Sequence, residues 1–420
     1  MDNNYAVFKV NIYDEFACIE SKCKQNCCRA GWDIIWSKNE CEKIYKSKAL
    51  KKSFHQMEKH FVKCNGTQKY MKLKNTIEDA CPFLSEQNLC RIQLTTNYNY
   101  LSQTCKVYPR LLMEYKDYFE FSISSGCEKV VEMLLENREA LGFTQSNNNL
   151  AEIRNSYGRS GKDFPSNIYK DRPILNYWID IKYLVIEILS DRSYSIEERL
   201  FITGMAMELL RDIENEGNVE IIPQFVDMFL SENSCGKIKQ QLNSIEINKE
   251  NRVIHCLSYM TLIFYQEKSC KSILEKGQKN IGVDVGKVEE VNQVKNFTIS
   301  TDYDKAAYAT CEKLYLDFIA DKEYFLENVL ILNFTNMCMP FCDTSKDIFD
   351  NYYTFIICFC IFKFALTTNT DENFSIEELI RITVLSSRSM AHNSKIVPLL
   401  DEFRLQFKDI NLDNMANLLL

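Results

Sequence analysis

The chain has 420 residues, a formal net charge of −8, 46% apolar and 26% charged residues, and only 12 Gly and 7 Pro. That composition excludes a disordered or collagen-like chain and a small disulfide-stapled domain, and the length accommodates two or three domains. The acidity is uneven, a net +5 over residues 1–130 and −13 over the remainder, which argues against non-specific nucleic-acid binding by the chain as a whole.

The start, "MDNNYAVFKVNIYDEF", lacks a basic segment followed by an apolar one and does not read as a signal peptide. Cytoplasmic residence is therefore expected. In a reducing compartment, clustered thiols are metal ligands or reactive groups more often than disulfides. Ten of the 18 cysteines fall between residues 18 and 127. The first block, "FACIESKCKQNCCRAGW", supplies Cys18, Cys23, Cys27 and Cys28. Successive side chains diverge, so adjacent Cys27 and Cys28 are expected to divide their roles. The basic run at 43–63 reads as a solvated helix face, with a surface for an acidic partner as the alternative. "CPFLSEQNLCRIQ" then brings Cys81 and Cys90, "YLSQTCKVYPR" Cys105, and "SISSGCEKV" Cys127. Cys41 and Cys64 stand alone and are expected not to bind. The histidines of this region, His55 and His60, lie outside the cysteine blocks. All-sulfur ligation therefore fits either zinc or an iron–sulfur cluster. Beside the blocks, Trp32 reads as core, and Arg110 as a structural ion-pair partner or a binder of anionic charge.

The stretch 143–167 is polar and rich in Asn, Ser and Gly. It divides a cysteine-rich part, 1–142, from a helical part, 172–420, through a linker at 143–171. A second polar insertion is expected near 275–301. Scarce turn formers and long apolar-periodic runs predict a mainly α protein, with an irregular cysteine-rich N-terminal part packed on a larger helical domain. Pro173 opens one helix. Ser195 with Glu198 and Ser375 with Glu378 have the capping-box spacing; a weak internal repeat would explain their likeness, as would good capping alone. Arg388 and His392 are four apart on one helix face and are candidate site residues, with a structural pair as the alternative. "YTFIICFCIFKFAL" (353–366) is fourteen residues with Lys363 inside, too short to span a bilayer. It reads as a core helix, with peripheral membrane contact as the alternative.

The ordered blocks "FACIESKCKQNCCRAGWDI", "CPFLSEQNLCRIQ", "YLSQTCKVYPR" and "SSGCEK" resemble the flagellin lysine-N-methylase family, itself related to a broader class of zinc- or iron-chelating proteins. The resemblance covers roughly residues 5–135; beyond it only short segments such as "EERL" and "SRSMAHN" match. It implies methyl transfer from S-adenosylmethionine to lysine ε-amines of flagellin, and a 4Fe-4S cluster held by the cysteine-rich motif. The metal ligands it implies are Cys18, Cys23, Cys27, Cys28, Cys81, Cys90, Cys105 and Cys127; Arg110, beside the motifs, and Arg388 and His392, from their helix spacing, are candidate cofactor contacts. The last block departs from the family pattern, with "GCEK" where Cys-Pro is expected, which weakens the case for Cys127. No Gly-rich turn after a strand marks a methyl-donor site, since "GVDVGK" (282–287) lacks the pattern. The Cys-x3-Cys-x2-Cys triad of radical enzymes fails at Ala30. The alternative is a non-catalytic zinc or iron–sulfur protein, a redox sensor or a structural knot.

Overall fold

The computed structural model describes residues 4–54, 56–64, 70–76, 80–157, 162–163, 168–233, 249–283, 289–291, 294–296, 302–391 and 410–419. The protein is mainly α. It divides into two compact units, one of residues 1–133 with 142–164 and one of residues 134–141 with 165–420.

The first unit is built on a five-stranded mixed sheet that the sequence reading did not anticipate. Its strands are β1 (Asn4–Val10), β5 (Arg110–Glu114), β6 (Tyr118–Ile123), β7 (Phe143–Asn149) and β8 (Lys162–Asp163), in the order β7-β1-β6-β5-β8. All six residues of the central strand β6 are buried, as expected of a strand covered on both faces. Tyr5 packs edge-on against Phe119, and Phe8 against Tyr118. Part of the expected linker is in fact β7, which pairs antiparallel with β1 from Asn4↔Asn149 to Val10↔Phe143. Its sequence, FTQSNNN, suits an exposed edge whose polar side chains discourage further pairing.

Between β1 and β5 a small lobe is inserted. Strands β2 (Ile35–Trp36), β3 (Phe61–Lys63) and β4 (Met71–Leu73) form a three-stranded antiparallel sheet beside α1 (Lys38–Lys46), α2 (Lys48–Ser53) and α3 (Arg91–Thr95). Its core is Trp36, Ile44, Leu50, Phe54, Phe61, Phe83 and their neighbours. Ser37 and Glu40 form a reciprocal capping box at α1, and the second oxygen of Glu40 accepts the Gln103 N–H at 2.7 Å. One carboxylate thus ties α1 to α4 (Gln103–Val107), the helix that carries Cys105.

The second unit is helical, apart from one short strand pair at Glu289–Val291 and Val294–Asn296 inside the expected insertion, among the described residues. The front of that insertion is helical, since Lys271–Asn280 is one helix. The helix Ile348–Asn369 runs through the unit and packs on the helices Ile196–Glu216, Lys249–Gln266, Lys271–Asn280 and Lys305–Ile319. At 22 residues it exceeds the fourteen-residue apolar run, and it is the one described helix long and apolar enough to cross a membrane. However, 89% of its apolar window is buried inside the protein, as a core helix requires. Its buried Thr354, Thr367 and Thr368, and Thr370 just past its end, each donate to the carbonyl four residues back. Gly277 allows Lys271–Asn280 its close approach, because a Cβ there would lie 2.6 Å from the Thr368 hydroxyl. Both anticipated caps form: Ser195 and Glu198 make a full capping box, and Ser375 accepts the Glu378 N–H.

Glu327 is 1% exposed and accepts from Arg199, itself 2% exposed, at 2.7 Å, and from Arg192 at 2.9 and 3.0 Å. Removing one partner of a buried ion pair leaves an uncompensated charge in the interior. Glu327→Ala is therefore expected to destabilise the helical unit by about 3–5 kcal/mol in denaturant unfolding.

Candidate metal centre

The sheet delivers three cysteine-bearing segments to one end of its strands. β1 and β6 are parallel, with Ala6 opposite Tyr118 and Lys9 opposite Phe121, so both finish at the same end. β5 runs against β6, with Arg110 opposite Ile123, so it begins at that end. One step beyond this ladder the Pro109 carbonyl accepts the Ser124 N–H at 2.8 Å. Cys105 lies just before the start of β5. Cys127 lies just after β6, in a turn closed by its N–H to the Ser124 carbonyl, and leads into α5 (Glu128–Glu136). The chain leaving β1 turns at residues 11–16 and reaches Cys18. Arg110 holds that turn: its guanidinium donates to the Phe16 carbonyl at 3.1 Å and lies over the Tyr13 and Phe16 rings.

The first cysteine block folds as two 3-10 turns, Glu20–Lys22 and Cys27–Arg29. The Asn26 side chain accepts the Cys28 N–H at 2.8 Å and donates to the Asn88 carbonyl at 3.2 Å. The Cys28 carbonyl accepts the Cys81 N–H at 2.7 Å. A bridge between Leu84 and Cys90 folds "CPFLSEQNLC" back on itself. Both ends of that loop pack against the core of the inserted lobe.

All eight predicted sulfurs consequently share one neighbourhood. Cys27 is the common member: its charge would be felt by Cys18, Cys23, Cys90, Cys105 and Cys127. Cys27 also hydrogen-bonds Cys28, which in turn hydrogen-bonds Cys81. None of the eight is in a disulfide. Among the described residues, however, no three His, Cys, Asp or Glu side chains stand ready to ligate a single ion. The sulfurs are gathered without being drawn to a point.

Cys18, Cys23, Cys28, Cys90, Cys105 and Cys127 are held above the ordinary thiol range. Burial, then the charges of neighbouring groups, raises Cys18 and Cys23. At Cys28 the bond with Cys27 favours the thiolate, but the bond with Cys81 and burial outweigh it. Burial pushes Cys127 up to about 11. It pushes Cys105 up to about 12, although that side chain still reaches solvent, which makes Cys127 the cleaner reporter. A soft, all-thiol donor set of this kind suits zinc or iron–sulfur ligation, in which a bound cation reverses the cost of ionising the sulfurs.

One group in the cluster escaped the sequence reading. Glu128, 6% exposed, accepts the Cys23 thiol proton at 3.4 Å and also the Gln25 N–H. It stands in the first turn of α5, where a helix N-terminus favours a carboxylate. In sequence it reads only as a helix-start residue, and no local pattern links it to a cysteine 105 positions earlier.

The remaining candidates lie elsewhere. Cys41 is sealed in the apolar core of the inserted lobe, and Cys64 follows β3. His60 packs edge-on against Phe83; His55 is outside the described residues. Trp32 stacks edge-on with Tyr108 at 4.7 Å. Arg388 is buried in the helix Ile376–Ala391, and His392 lies outside the described residues.

Fold and site define a two-unit, mainly helical protein with a thiol cluster at one end of the strands of its first-unit sheet. Residues 182–420 match the family model described as the FliB lysine N-methylase C-terminal domain. This is the helical part, where only short segments had suggested the family. The chain belongs to the FliB lysine N-methylase family. Proteins named lysine-N-methylase from Salmonella choleraesuis and Salmonella typhimurium are each 31% identical over 132 residues, 31% of this chain and 32% of theirs. The flagellar biosynthetic protein FliU of Salmonella muenchen is 32% identical over 149 residues, 34% of this chain and 87% of that protein. The matched stretch therefore spans about a third of the two lysine-N-methylases' length. No solved structure matches the chain.

In the metal-free chain, Cys127 is expected to resist alkylation near pH 9, where it ionises once unfolded, and to react as the pH approaches 11. Quantitative mass spectrometry of labelled peptides reads this directly. Because the folded value is raised, the stability that this thiol contributes is complete below pH 9 and is lost as the pH rises through 11.

Proposed function

We propose that the chain is a protein-lysine N-methyltransferase that acts on flagellin in the cytoplasm before export, with S-adenosylmethionine as methyl donor. The observation that carries this reading is membership of the FliB lysine N-methylase family across residues 182–420. The relatives named lysine-N-methylase and flagellar biosynthetic protein support the reaction and the acceptor.

The second half of the proposal is a 4Fe-4S cluster held by thiols drawn from Cys18, Cys23, Cys27, Cys28, Cys81, Cys90, Cys105 and Cys127. Its support is the gathering of these sulfurs in one neighbourhood around Cys27. When bound, the cluster supplies an iron able to accept the methionine part of the donor, and the sulfonium supplies an electrophilic methyl group. The chain's share is to release thiol protons on loading and to hold the ligand loops. Glu128 holds the first loop through Cys23 and Gln25, and the Asn26–Asn88 bond joins it to the second. The acceptor amine must be neutral to attack, which calls for a base or a dry pocket around the lysine.

Protein purified and loaded anaerobically is expected to transfer labelled methyl groups to lysines of purified flagellin. A folded, loaded protein that leaves flagellin unlabelled overturns the assignment. Acid-labile sulfide distinguishes an iron–sulfur centre from a zinc knot. Cys23→Ser and Cys90→Ser are expected to lose the metal, whereas Cys256→Ser and Cys358→Ser keep it, as measured by metal content per chain.

A further inference from the structure

The helical unit holds a second, smaller thiol site that the proposed function leaves unused. A narrow cavity of about 50 Å3 is lined by Cys256, Cys360, Arg252, Lys363, Tyr308 and Leu418 among others. Cys256 lies on the helix Lys249–Gln266 and Cys360 on Ile348–Asn369. The two thiols are hydrogen-bonded to each other across these packed helices. They are 4% and 6% exposed and otherwise reduced. Arg252 stands one turn before Cys256 and Lys363 three residues after Cys360, so both cations face the pair. Each is held in place by a carboxylate, Arg252 by Glu312 at 3.2 Å and Lys363 by Glu197 at 2.5 Å.

Two sulfurs in contact, on separate helices, beside fixed cations and an opening to solvent, are the elements of a redox dithiol. We propose that Cys256 and Cys360 form an oxidisable pair, converted by a small peroxide entering this cavity into a disulfide that joins the two helices. The contact with Cys360 draws Cys256 below the ordinary thiol range against the cost of burial, with Arg252 and Lys363 reinforcing it, while the same contact and burial hold Cys360 well above. The Cys360 proton is engaged by the Leu418 carbonyl at 3.5 Å, which leaves Cys256 as the nucleophile. Its thiolate attacks one peroxide oxygen, the O–O bond breaks, and hydroxide leaves and takes up a proton. The resulting sulfenic acid is attacked by the sulfur of Cys360 as water departs. Two thiols and one peroxide give one disulfide and two waters.

The oxidation has a built-in structural consequence. The Cys360 thiol also donates to the Leu418 carbonyl at 3.5 Å, on the short helix Leu412–Leu419 that covers one side of the cavity. A disulfide has no proton to donate, so this tie is broken on oxidation.

The test is peroxide titration of the full-length protein, followed by peptide mapping under non-reducing conditions. A peptide linking Cys256 to Cys360 is expected, together with faster hydrogen exchange across residues 412–419. In Cys360→Ser, a sulfenic acid trapped by a dione reagent is expected at Cys256, while Cys358→Ser leaves the linked peptide unchanged. The proposal is overturned if both thiols remain free after peroxide has oxidised the exposed cysteines, or if either one is found linked to Cys358 instead. Because the readouts are covalent, they are independent of methyl transfer.

Discussion

The parallel pairing of β1 with β6 is the constraint on which the thiol cluster depends. More than a hundred residues separate these strands, and a parallel neighbour cannot be reached by a tight turn. The intervening chain therefore leaves and returns at fixed ends of the sheet, and the β5–β6 hairpin places a third entry beside them. The long excursion is spent on the inserted lobe, whose own apolar core supports the loop between Cys81 and Cys90. Local motifs supply thiols; the sheet register decides that they meet. A one-residue slip between β1 and β6 would turn the buried strand inside out and displace the approach to Cys18.

The cluster is also electrostatically unfinished. Burial and mutual proximity keep Cys23, Cys28 and Cys127 protonated, and a buried carboxylate, Glu128, takes one thiol proton as a hydrogen bond. A site with sulfur donors on several sides is suited to receiving a cation. The helical unit treats its thiols differently. There Arg252 and Lys363 already supply positive charge beside Cys256, which makes that pair reactive rather than receptive.

The helical character and the eight cysteines were legible because each rests on a local pattern. Apolar periodicity, Pro173 and the Ser195–Glu198 spacing are short-range signals, and the structure honours them. The sheet was not legible. β6 carries Glu120 and Ser122 among its aromatics, and β7 is almost wholly Asn, Gln, Ser and Thr, so neither reads as a strand until its partner is known. The long helix is longer than its apolar run for a related reason: its terminal Thr367, Thr368 and Asn369 look solvated, yet they donate to carbonyls four residues back. Glu128 and the Cys256–Cys360 pair depend on contacts about a hundred residues apart, for which a single sequence carries no signal.

The most direct test of the central claim is anomalous diffraction from crystals of anaerobically purified protein, recorded across the iron and zinc absorption edges. The account predicts a metal peak bonded to Cys27 and to further members of the eight, at sulfur distances of about 2.3 Å. A well-ordered first unit in which all eight sulfurs remain free thiols, with no anomalous peak among them, would contradict it.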